Sequence, residues 1–340
     1  MHRRIACAAI VAVAAIALLA AGALGRAGAD GSKAAMLLPG SINDQSWNAA
    51  GYAGLQKLKA QGWEIAYSEN VQAADHIEAM KDYARRGFNP VIGHSGRFLS
   101  AAQRVGPEFE KTFFVVGSGS GGAGKNVVSV DLANEQFGYL VGFLAGRMSK
   151  TGKVAAVAGL EGLPNMVASM GSFRLGAKAA RPDAEVRIIY LQSMEDPAAA
   201  KEAAFSLIAS GADVVGGKLN AGHAGLIQAA KEKNVWTAGR SFGHTAIAPE
   251  RVLTNISEKW PEIYAATAAD LKAGKLAAGY VAYGYNSPAT TGAELQYSEQ
   301  RGLNPAVPAA VVAEIEALKK KFATGGLKIS PTKEDARSGA

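Results

Sequence analysis

Asp44, Trp47 and Asn48 fall within five residues of one another and offer a carboxylate, a flat indole and an amide. Groups of those kinds suit a small, polar, planar molecule: the indole gives a stacking face and the other two read hydrogen-bonding edges. The same residues also fit a helix start, with Asp44 or Ser46 as N-cap and Trp47 as a hydrophobic staple. Both readings stand on the spacing alone.

Other short motifs do not complete. Residues 119–125, GSGGAGK, have the G-x-x-x-x-G-K spacing of a phosphate-binding loop and follow the apolar run FFVV. Asn126 stands where that motif needs Ser or Thr, and NVVSVD reads as a strand where it needs a helix, so a surface loop is expected. Residues 93–96, GHSG, begin like a nucleophile elbow, but Arg97 replaces the last glycine. His94 and Ser95 therefore read as hydrogen-bonding residues at a strand end, on the same cleft edge as Asp44. His2, His76, His94, His223 and His244 make no zinc spacing with one another or with other ligating residues, so neither a metal nor a cofactor is expected. Further strand-end candidates are Asp131, Asn220 and His223, then Arg240, Ser241 and Trp260. They come from both halves of the chain and include no acid, base and nucleophile set, which favours a ligand held between two lobes over catalysis.

Positioning them requires alternating strands and helices, which predict an α/β protein with mostly parallel sheets covered on both faces. Strands are expected near 34–38, 64–68, 90–93, 112–116 and 127–131, with helices near 46–61, 74–86 and 98–110. Helix 134–149 leads into a second series of strands near 153–158, 185–190, 213–216 and 235–239, with helices near 165–180, 197–210 and 223–232. Loops after the carboxyl ends of such strands are where open α/β sheets hold ligands. A strand near 252–256, a helix near 259–273, a strand near 279–284 and a helix near 307–323 read as a return to the first lobe and then to the second. The expected division is therefore 30–130 plus 242–278 for the N-terminal lobe and 131–241 plus 279–329 for the C-terminal lobe. Crossings would lie near Asp131, Ser241 and Gly279, and residues 330–340 would form a disordered tail.

Residues 1–29 differ in kind: Arg3 and Arg4 precede a long apolar run, and Ala27-Gly28-Ala29 offers a small-residue cleavage site. That is the pattern of a secretory signal peptide, rather than an uncleaved anchor, and it predicts a periplasmic protein. The one cysteine, Cys7, lies inside it. Without Arg3, Arg4 and Arg26, the excess of 36 basic over 29 acidic residues shrinks to a few charges. Lys319, Lys320 and Lys321 form the one basic run, on the exposed face of a late helix, and nothing here calls for nucleic acid.

The stretches PGSINDQSWNAAGYAGL, VDLANEQFGYLVGFLAG, SFRLGAKAARPDAEV, DPAAAKEAAFSLIASGADVV and NAGHAGLIQAAKEKNV together resemble the basic membrane protein family of ABC-transporter solute-binding proteins, which includes purine nucleoside receptors. The similarity covers about residues 35–240 and extends more weakly to about 290. It implies a type I periplasmic-binding-protein fold: two Rossmann-like lobes, a three-strand hinge and a ligand cleft, working as a monomer that delivers its ligand to a membrane permease. Family members clasp a base between aromatic side chains, which makes Trp47 the stacking candidate, with Phe173 and Trp260 as second candidates. Nucleoside-binding members carry an acidic stretch for the ribose hydroxyls after the strand ending near 239; this chain reads GRSFGH there, with Arg240, Ser241 and Gly243. NISEKWPEIY, through Lys259, Trp260 and Tyr264, instead resembles members that take a free base. A purine base or related heterocycle is therefore expected over a nucleoside. Arg240 would pair either with an acidic ligand group, as on urate, or across the lobes. A sensory receptor and an exported nucleoside-processing enzyme are the competing functions.

Overall fold

The computed structural model describes residues 31–44 and 46–339; the expected signal segment, 1–29, lies outside them. The first sheet contains β1 (Lys33–Leu37), β2 (Glu64–Ser68), β3 (Val91–Gly93), β4 (Phe114–Gly117), β5 (Val127–Leu132) and β11 (Gly279–Tyr283). They run in the order β11-β5-β4-β3-β1-β2, all parallel. The second contains β6 (Lys153–Gly159), β7 (Glu185–Leu191), β8 (Val214–Lys218), β9 (Trp236–Gly239), β10 (Val252–Glu258) and β12 (Ala293–Leu295). Its order is β12-β10-β9-β8-β6-β7, parallel except for β12.

The continuous apolar runs have their cause in two-sided burial. Along β1, Ala34 and Met36 enter one core while Ala35 and Leu37 enter the core on the other face. Along β6, Val154, Ala156 and Ala158 alternate in the same way with Ala155 and Val157. The first sheet is flanked by α1 (Trp47–Ala60), α2 (His76–Arg85) and α3 (Leu99–Val105). The second is flanked by α4 (Asn134–Met148), α5 (Pro164–Met166), α6 (Ser172–Ala180), α7 (Pro197–Ala209), α8 (His223–Lys233) and α9 (Phe242–Ile247). Then come α10 (Trp260–Lys272) and α11 (Ala309–Ala323). Lys57 of α1 pairs with Glu262 of α10 at 3.0 Å, and Arg147 of α4 pairs with Glu314 of α11 at 2.8 Å.

Two late strands sit in the opposite sheets from those expected. β10 joins the second sheet beside β9, and β11 joins the first beside β5. The short helix α9, absent from the sequence reading, connects β9 to β10 within one sheet, so no crossing occurs at Ser241. The chain passes between sheets after β5, after β10 and after β11, close to Ala133, Lys259 and Gly284. The expected disorder of the tail is also corrected: residues 331–339 pack on the second lobe, where Ala336 is buried. Composition suggested disorder, but hydrogen bonds to backbone carbonyls, which composition does not reveal, hold this segment.

Candidate functional site

The loop after β1 is shaped by its own polar residues. The Asp44 carboxylate accepts bonds from the backbone N–H of Ser46 (2.9 Å), Asn48 (2.8 Å) and Ala49 (2.9 Å), and from the Asn48 side-chain amide (2.8 Å). It thereby satisfies donors that the first turn of α1 leaves open. Asn48, 1% exposed, accepts in turn from the N–H of Gly40 at 3.1 Å. Both residues are occupied in building the loop, and neither faces the cleft; the capping reading holds.

What that loop presents is Trp47. Its Nε1 donates to the His94 carbonyl at 2.9 Å, its ring lies 4.2 Å from the His94 ring at 16°, and Trp260 meets it edge-on at 5.0 Å. Gly51 makes this possible, since a Cβ there would overlap the His94 imidazole. His94 is fully buried, with Nε2 2.9 Å from the Trp47 carbonyl and Nδ1 2.5 Å from the Tyr264 hydroxyl. A carbonyl only accepts, so Nε2 carries the proton and Nδ1 accepts from Tyr264. Burial lowers the imidazole pKa to about 4, which keeps it neutral. His94 therefore supports the indole from behind and is not among the residues that line the cleft. Trp260 is likewise fully buried, its Nε1 donating to Glu258 at 2.7 Å.

The cleft beside Trp47 has a volume of about 230 Å³ and draws on both sheets. From the first come Pro39, Gly40, Trp47, Ser95, Arg97 and Ser118. From the second come Leu160, Leu163, Pro164, Asn165 and Met166, then Met194, Glu195, Lys218, Asn220 and Arg240. Ser118 and Leu160 both adopt left-handed backbone, at φ 51° and 53°, a strained conformation for residues with side chains. Trp47 and Arg240 also border a second opening with Ser241, Ser257 and Glu258.

Four charges underlie the cleft. Arg240 donates to Glu258 and, at 2.6 Å, to the Leu219 carbonyl. Burial alone would raise the Glu258 pKa, but Arg240 and Lys218 hold it below the usual value. Lys218, lowered chiefly by burial, donates to Asn134, whose amide donates to Asp131 at 3.0 Å. Asp131 also accepts from Ser118 Oγ at 2.7 Å and from the Leu132 N–H at 2.8 Å. Its pKa nevertheless rises to about 6 because burial outweighs Lys218 and these bonds. Ser118, Asp131, Asn134 and Lys218 thus form a hydrogen-bonded chain from one cleft wall to the other, across the first crossing.

Of the sequence candidates, the structure brings Trp47, Ser95, Asn220 and Arg240 to the cleft and Ser241 to the neighbouring opening. Asp131 lies one bond behind the wall. Phe173 and His223 are core residues: Phe173 packs among Leu140, Met170 and Val214, and His223 bonds to the Ala238 carbonyl at 2.9 Å while stacking on His244. Residues the sequence reading missed are Lys218, Glu195, Glu258 and the 160–166 wall. Lys218 ends the apolar run VVGGK and Glu258 precedes Lys259-Trp260, so each had a strand-end position as its signal.

The family model for PnrA-like ABC transporter substrate-binding proteins matches residues 31–285. Among curated proteins, the chain is 29% identical to the transcriptional activator protein Med of Bacillus subtilis over 257 residues, 75% of this chain and 80% of that one. It is 28% identical to a purine-binding protein of Brucella abortus over 205 residues, 59% of this chain and 57% of that one. Among solved structures, an ABC transporter solute-binding protein from Conexibacter woesei superposes with a TM-score of 0.69 at 27% identity, covering 88% of this chain and 99% of the other.

Proposed function

The chain belongs to the PnrA-like family of ABC transporter substrate-binding proteins and has the type I periplasmic-binding-protein fold, and on that premise we propose that it captures a purine base, or a related small heterocycle, for delivery to a membrane permease. The observation that carries this reading is the Trp47 indole, fixed by His94 and Trp260 and bordering the same cleft as Leu163, Met166 and Met194. An aromatic face in a cleft that also has apolar and thioether walls suits a flat ring, and stacking on such a face contributes about 1–3 kcal/mol per base. Asn165, Asn220, Glu195 and Ser95 supply the groups that would read its edges. Similarity to the Brucella purine-binding protein supports the ligand class.

A neutral free base fits better than a nucleoside or an anion. The position after β9 holds Arg240, engaged by Glu258, where a carboxylate would serve ribose hydroxyls, and the same ion pair leaves Arg240 no need of an acidic ligand. We read the protein as a periplasmic receptor without catalysis: ligand selects the closed arrangement of the lobes, and the permease recognises closure.

The test is calorimetric titration of ligand-stripped protein with adenine, hypoxanthine, guanine, urate and guanosine. One-to-one binding of a neutral base is expected, weakened about 10- to 100-fold in Trp47→Ala, the equivalent of roughly 1–3 kcal/mol. Binding of guanosine alone would restore the nucleoside. Binding of none of the five would overturn the purine reading.

A further inference from the structure

Segment 330–339 touches the cleft wall from behind. Arg174 of α6, 7% exposed, donates to the carbonyls of Glu334 (3.3 Å), Asp335 (2.6 Å), Arg337 (3.0 Å) and Gly339 (3.0 Å). Tyr190 donates its hydroxyl to the Ala336 carbonyl at 2.5 Å, and Gly339 exchanges backbone bonds with Ile188 on the edge strand β7 at 3.0 and 3.3 Å. These contacts fasten the segment to the second lobe. Further contacts reach the two ends of the stretch that carries the wall: the Ser338 N–H donates to the Glu161 carboxylate at 3.0 Å, and Pro331 and Asp335 pack against Gly171.

The stretch between, 160–171, starts as a turn at 160–163 and continues from Pro164 as helix without a break into α6. Leu160 is left-handed, Leu163 is 39% exposed, and Val167–Gly171 form a π-helical turn. Strained backbone persists only where its surroundings over-determine it. We propose that 330–339 is a strap that sets the conformation of the ligand-contacting wall, with Arg174, Glu161 and Ala336 as positioning residues for binding. The strap orders the wall before ligand arrives; without it, ordering would be charged against affinity.

Two variants of the full chain test this. Ala336→Glu places a charge at a position 3% exposed and dislodges the strap, whereas Glu161→Ala removes only its anchor on the wall, at an exposed position. Hydrogen exchange read by mass spectrometry is expected to accelerate at least ten-fold over 160–171 in Ala336→Glu, and over the start of that stretch in Glu161→Ala. Exchange in β3, β4, β6 and β8 should stay unchanged. Adenine affinity, measured by calorimetry, should weaken about ten-fold in Ala336→Glu. Unchanged exchange over 160–171 in both variants, or uniform acceleration through β6 and β8, would overturn the strap. The adenine arm rests on the purine reading; if the intact protein binds no adenine, that reading fails by itself and exchange alone decides the strap.

Discussion

Arg240 and Glu258 have side chains only 6% and 8% exposed, so each charge depends on the other for what water would otherwise supply. Removing one partner of a buried pair strands the other and costs about 3–5 kcal/mol. Glu258→Gln is therefore expected to lower unfolding free energy in urea by about that much, with Arg240→Met in the same chain recovering most of the loss. A change below about 1 kcal/mol in the single variant would show that the guanidinium finds other partners. The sequence could show that Arg240, Trp47 and Asp44 stand at strand ends, because strand and loop residue types differ. It could not show which way each side chain is used. A carboxylate near a helix start suits open N–H donors as well as it suits a ligand, and Asp44 serves the donors. Trp47 and Trp260 differ only in depth, which is fixed by how α10 packs on α1.

Elements explain what local pattern does and does not carry. Strand and helix positions were legible through periodicity, but a parallel strand covered on both faces reads alike in either sheet, which is why β10 and β11 were exchanged in the sequence reading. The short α9 and β12 offered too few residues for a period to appear. Helices α4 and α6 show a different kind of signal. A Cβ on Gly142 would overlap the Phe173 carbonyl, and one on Gly176 would overlap that of Tyr139. Glycine is therefore the means by which these two helices approach closely, and through α4 the first crossing is held to the second lobe. Gly142→Ala is expected to destabilise by about 1–3 kcal/mol, as overpacking does. Urea midpoints with an unchanged slope would measure it; stability equal to that of the parent would mean that the helices separate freely.

At the scale of the whole molecule, buried titratable groups set the response to acid. His94 and His244 have pKa values lowered to about 4, chiefly by burial, and His223 is pushed well below its usual value by burial and by His244. Above pH 6.5 these rings are neutral in both folded and unfolded chains, so they impose no pH dependence. As pH falls from 6.5 towards 4, the unfolded chain takes up the protons first, and stability drops by about 3 kcal/mol for each of His94 and His244. Asp131 acts in the opposite sense. Its folded pKa, raised to about 6 mainly by burial, lies above the unfolded value, so between pH 6 and 4 the folded chain protonates first and regains about 3 kcal/mol. The histidines outnumber the aspartate, and net destabilisation is expected between pH 6.5 and 4. Urea unfolding at pH 7 and pH 4.5 separates the contributions. His94→Gln should shrink the difference between the two pH values, whereas Asp131→Asn should enlarge it and raise stability at pH 7. Equal differences in the parent and both variants would place the acid response elsewhere. Asp131 also lies in the hydrogen-bonded chain from Ser118 to Lys218, so its protonation near pH 6 alters the link between the two cleft walls while both lobes remain folded. Ligand affinity in Asp131→Asn should accordingly lose whatever dependence the parent shows between pH 7 and 5.5, a range in which the His94 and His244 rings, with pKa values about 4, stay neutral in the folded chain.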